Sequence, residues 1–269
     1  VINVLPFATQ TSNGIIKLAM QEIIFNNPPI VEALIDIRVE LSPEVTLEAI
    51  ARFHDKVKGE FPDKQSRMSW KSDFQLKPGT VPEVSTLSGG PDGHLFHPAD
   101  KSKIVQARLD GFTFNKLRPY QKWELFRDEA KKLWGYYLEV AKPKQITRLA
   151  VRYINRIELP FPFSQLQEYI LTVPQVAAGL PQGMSQFLMQ IVIPNTVIGA
   201  QAVITETIEA PVVRNNIEVL PLILDIDVIR NIALSPADPK LWTIFEELRK
   251  FKNEIFLKSL TEKTKGLFQ

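Results

Sequence analysis

Two stretches of this chain alternate apolar and charged residues for too long to be helical. The first, IVEALIDIRVELSP at 30–43, sets Val31, Ala33, Ile35, Ile37, Val39 and Leu41 against Glu32, Asp36, Arg38 and Glu40. Leu34 is the one exception. The second, QITRLAVRYINRIELP at 145–160, carries Arg148, Arg152, Arg156 and Glu158 in the same way. A period of two is that of a strand with one buried face. Such strands belong to antiparallel sheets, where one face meets the core and the other is polar.

The two stretches are also echoes. Val39-Glu40-Leu41-Ser42 matches Ile157-Glu158-Leu159-Pro160, an offset of 157 − 39 = 118. Trp123-x-x-Phe126 matches Trp242-x-x-Phe245, an offset of 242 − 123 = 119. Around these landmarks the chain reads as β-α-β-β-β-α twice. In the first half a strand at 30–41 precedes a helix over 43–60, with Ser42 as its N-cap. A strand follows at 67–77, then a Gly/Pro-rich loop at 78–93. A hairpin of His94–Phe96 with 103–117 leads to a helix ending near Val140. In the second half a weak helix is expected at 163–171. Three strand-like runs follow (QFLMQIVI, QAVITETIE and LPLILDIDVI), then a long helix over about 238–260.

The resulting expectation is an α+β fold. Two internally duplicated halves, 20–143 and 144–269, form one compact unit with one largely antiparallel sheet and helices on one face. This two-repeat saddle resembles the TATA-box-binding protein in element order only, which carries no function. Residues 1–19 lack a sustained pattern and read as an extension or poorly ordered arm, with Met20 as a natural start. A pseudo-two-fold axis would pair 30–41 with 146–159. The acidic face of one and basic face of the other would then stabilise the pair.

Composition narrows the chemistry. Among 269 residues there is no cysteine, which excludes disulfides, thiolate nucleophiles and cysteine-held metals. The 32 basic and 30 acidic residues leave a net charge of +2, too balanced to imply nucleic acid. No apolar run approaches the roughly 18–20 residues of a membrane span, and no secretion signal is evident. The reading is cytoplasmic and non-membrane.

The landmarks PPIVEALIDIR, DGFTFNKLRPYQKW, RYINRIEL, ILDIDV and EIFLKSLTEKTKGLF run in order over about 22–268. In them the chain resembles a sporadically distributed family of uncharacterised, conserved hypothetical bacterial proteins. The resemblance implies a compact soluble bacterial protein with an accessory role.

No phosphate loop, GxSxG elbow or HExxH is present, so no cofactor is expected and catalysis is disfavoured. His94-x-x-His97 reads as hairpin histidines and His54 as packing. Asp225-x-Asp227 places two carboxylates on one strand face, a weak metal site for a hydrolase. Arg148, Arg152 and Arg156 would neutralise these acids if the strands were neighbours. Asn155 stands on the apolar face where the echo has Ile37, so it is either bonded to backbone or a polar point in a ligand pocket beside Tyr153. The favoured function is non-enzymatic. A protein or small-ligand partner binds the sheet face or its groove through Tyr153, Asn155, Arg152, Arg156, Arg38 and Asp36. Nucleic-acid binding is the alternative, and homo-oligomerisation is compatible with either.

Overall fold

The computed structural model describes residues 25–75 and 83–269. The expected arm at 1–19 and Met20 lie outside them. Among the described residues ten strands form one sheet in the order β2-β3-β4-β5-β1-β6-β10-β8-β7, with the short β9 paired to β10. All pairings are antiparallel. The strands are β1 (Ile30–Glu40), β2 (Asp63–Gln75), β3 (Glu83–His97), β4 (Lys103–Arg108) and β5 (Gly111–Leu117) in the first half. The second half contributes β6 (Gln145–Pro160), β7 (Leu188–Asn195), β8 (Ala200–Ile208), β9 (Val212–Arg214) and β10 (Ile217–Leu234).

β1 and β6 pair at the centre, placing Asp36 opposite Ala150 and Arg38 opposite Arg148. Outward from them β5 and β10, β4 and β8, and β3 and β7 occupy matching places. The match is one of topology. Its departures are β2 at one end, β9 beside β10, and the connections after β1 and β6.

Those connections depart from the expected helices. The first contains two short helices, α1 (Leu47–Ala51) and α2 (Phe53–Val57). The cap is Thr46, whose hydroxyl accepts from the Ala49 N–H, and not Ser42. The expected weak helix at 163–171 is one 3-10 turn, Leu166–Glu168. A glycine-rich stretch also proved ordered as a strand: β3 starts at Glu83, inside the expected loop, because β2 runs beside its whole length. Residues 103–117 make two strands, turning at Leu109-Asp110.

Two long helices, α3 (Trp123–Ala141) and α4 (Lys240–Ser259), pack on the face bearing Ala33, Ile35, Ile37, Phe112, Phe114 and Val151. They are tied together at Glu246, whose Oε1 accepts from Trp123 Nε1 at 2.6 Å and from Arg127 Nη1 at 2.7 Å. On α4 Phe251 is only partly buried, while Lys252 is buried between Leu248 and Phe256. The remaining short helix, α5 (Glu262–Lys265), follows α4. No helix among the described residues is long and apolar enough to cross a membrane.

Candidate functional site

Strand alternation sends the residues opposite the helices to a second face, which no helix covers among the described residues. On β1 these are Glu32, Leu34, Asp36 and Arg38; on β6, Arg148, Arg152, Arg156 and Glu158; on β10, Asp225 and Asp227. The pairing of β1 with β6 and of β6 with β10 brings three of these rows side by side.

Asp36 is the hub. Its Oδ1 accepts from Arg108 Nη2 at 2.8 Å and from the Thr113 hydroxyl at 2.6 Å. Its Oδ2 accepts from Arg148 Nη1 at 2.8 Å and Arg38 Nε at 3.2 Å. Burial alone would raise the carboxyl's pKa, but Arg108 and Arg38, with the Thr113 and Arg108 hydrogen bonds, hold it below the usual range. Asp110 continues the chain of charges, taking Arg108 Nε at 2.8 Å and also pairing with Arg38.

Toward β10 the pairing repeats. Arg152 grips Asp225 as a fork, with Nε to Oδ1 at 2.9 Å and Nη2 to Oδ2 at 2.5 Å. Arg148 reaches from Asp36 toward Asp227 Oδ2 at 3.7 Å. The expected neutralisation of the two acids by arginines is therefore the observed arrangement for Arg148 and Arg152. Arg156 pairs with Glu158 at 2.6 Å and Glu209 at 3.1 Å instead. Glu32 turns the other way, accepting from Asn115 Nδ2 on β5 at 2.5 Å.

Asp227 is the exception in this network. Its Oδ1 is buried with no hydrogen-bond partner among the described residues. Burial pushes its pKa up to about 6, further than Arg148 and Arg152 pull it down, with Asp225 and Asp36 adding repulsion.

The six residues expected to bind a partner do not share one face. Asp36, Arg38, Arg152 and Arg156 lie on the charged face; Tyr153 and Asn155 point into the helix side. Asn155 Nδ2 donates to the Leu224 carbonyl at 2.9 Å, so its amide is bonded to backbone. Tyr153 shares a 2.8 Å hydrogen bond with Tyr120, and Lys252 Nζ stands 3.8 Å from its ring centroid. A cavity of about 430 Å³ opens where β6 runs past the start of β1, lined by Pro28, Pro29, Arg118, Tyr120, Arg156 and Phe268 among others. Arg156 thus belongs to both the charged face and this cavity.

His54 Nε2 lies 3.2 Å from the Phe61 and Pro62 carbonyls, and His94 Nε2 lies 3.3 Å from that of Leu47. Among the described residues no three histidines or acids converge as a metal shell. With Asp225 gripped by Arg152, the Asp225–Asp227 pair lacks the free carboxylates that shared ligation requires.

Sequence reasoning missed Arg108, Asp110 and Thr113, which complete the Asp36 hub. It also missed Glu206 and Lys252. Both were legible in period: Glu206 falls in the apolar row Ala202, Ile204 and Ile208, and Lys252 lies four residues from Leu248 and Phe256. Burial raises Glu206 to about 7, and its Oε2 has no hydrogen-bond partner among the described residues. Burial, with Arg249 nearby, lowers Lys252 to about 7.

No protein-family model matches the chain. No curated protein matches its sequence.

Proposed function

We propose that this is a non-enzymatic accessory protein of a bacterial cytoplasm that binds a partner through the charged sheet face and its adjoining cavity. The observation that carries the reading is Asp227. Among the described residues its Oδ1 is buried without a hydrogen-bond donor, amid carboxylates that are otherwise engaged by arginines. A buried acceptor left unmade is costly, so a ligand or partner N–H or O–H placed there is favoured.

The face supplies no surplus of positive charge for a phosphate backbone. Arg38, Arg108, Arg148 and Arg152 stand among Asp36, Asp110, Asp225 and Asp227, a local balance of four against four. That arrangement supports a protein or small polar ligand over nucleic acid, whose binding rests on uncompensated lysine and arginine.

The test is a thermal-shift screen of amino acids, amines and polyols against the wild-type chain, Asp227→Leu and Arg152→Ala. At least one compound should stabilise the wild type, bind better above pH 6, and lose its effect in Asp227→Leu. Hits that all survive both substitutions, or a screen without a hit, would overturn the reading.

A further inference from the structure

β7 ends the sheet, and its outer edge meets no other strand among the described residues. Its sequence, LMQIVIPN, contains no charged residue. It is apolar on both faces. Leu188 and Val192, on the helix-free face, are 76% and 52% exposed; Ile193, on the helix side, is 40% exposed. A helix laid on one face would cover only half of these side chains. A strand placed alongside gives the side chains of both faces cross-strand neighbours and also satisfies the unpaired backbone groups.

The opposite edge of the sheet is built differently. β2 presents Asp63, Lys64 and Arg67, the usual protection of a free edge. A head-to-tail contact of β7 with β2 would bury those charges against an apolar strand. A β7-to-β7 contact brings no charge from either strand into the join.

We propose that β7 is a homodimer interface, joining two copies edge to edge about a two-fold axis into one continuous antiparallel sheet. An axis perpendicular to the sheet keeps both helix layers on one side. In the register centred on Ile191, Met189 faces Ile193 of the second copy, Gln190 faces Val192, and Leu188 faces Pro194. Apolar thus meets apolar at each step except Gln190. Such an interface is isologous and closes at two copies. Pro194 lacks an N–H and sits at the end of the strand, where its loss shortens the ladder least.

The proposal is independent of the charged face and is tested separately. In sedimentation equilibrium at tens of micromolar, the full chain should behave as twice the 30.6 kDa of one copy. The Leu188→Lys, Val192→Lys double variant changes two exposed side chains. It should run at the mass of one copy, with a melting temperature that no longer rises with protein concentration. Amide exchange of wild-type 188–193 should slow as concentration rises, which keeps the test available if the double variant misfolds. A wild type that remains monomeric, a dimer that survives both lysines, β7 exchange independent of concentration, or open-ended polymers would each overturn it.

Discussion

Arg108 donates to Asp36 across an intervening strand. Its Nη2 reaches Oδ1 at 2.8 Å from β4 to β1, over β5, and the two side chains are only 3% and 8% exposed. On β5 between them Thr113 joins the pair, its hydroxyl accepting from Arg108 and donating to Asp36 Oδ1 at 2.6 Å, while Gly111 stands between Arg108 and Arg38. A guanidinium so buried depends on its anion, and the same Asp36 also serves Arg38 and Arg148.

Removing the hub should therefore be severe. Asp36→Ala is expected to cost about 3–5 kcal/mol, because Arg108 is left as a poorly compensated buried charge. The Asp36→Leu, Arg108→Met double variant should recover most of that loss. Urea denaturation of the three chains measures both, and equal losses in the single and double variants would refute the coupling.

Gly111 should tolerate nothing larger. Its φ of +153° is one that L side chains rarely adopt, and an added Cβ would press into the Ile37 carbonyl on β1. Gly111→Ala is expected to cost about 1–3 kcal/mol from backbone strain alone. A denaturation midpoint at the wild-type value would show that β1 and β5 can part more cheaply than this.

Glu206 should make stability fall as pH rises. Its carboxyl titrates near 4.5 when unfolded and about 7 when folded, so the folded chain holds the extra proton between those values. Stability is then lost from pH 4.5 to about 7, and the loss is complete above. Glu206→Gln should gain about 2 kcal/mol at pH 8 and little at pH 4. Thermal melts across that range check it; a pH-independent difference would contradict the assignment.

Lys252 should act in the opposite sense. Its amine titrates near 10.5 unfolded and about 7 folded, so the unfolded chain holds the extra proton between them. Its contribution to stability improves as pH rises from 7 to 10.5. Lys252→Met should stabilise the protein by about 2 kcal/mol at pH 7, and the gain should fade toward pH 10.5. The Tyr153 contact is lost in that variant, so a net destabilisation at pH 7 would mean that the ring contact outweighs burial.

Much of the fold was legible because burial of one face is written locally. The alternation of 30–41 and 145–160 specified two strands and which side of each is polar, and the three- and four-residue spacing of Trp123, Phe126, Ala130 and Leu133 specified a helix. The helical pattern at 43–60 was weaker evidence: it became two short helices, of which only the first has a side-chain cap, Thr46. β3 was hidden because its glycines and proline resemble a loop until β2 lies beside them.

The sequence by itself determined a β-rich chain without cysteine chemistry, its central strands, and the opposite charge of their polar faces. Tertiary structure alone decided which charges meet. Alternation assigns a side chain to a face, but its partner depends on register and on how far an arginine reaches across strands. For that reason Asp36 finds Arg108 and Thr113 as well as Arg148, Glu32 turns to Asn115, and Tyr153 and Asn155 stand on the far side from Arg152 and Arg156. The Asp227 oxygen that has no partner among the described residues is likewise seen only once the neighbouring strands have taken up their arginines.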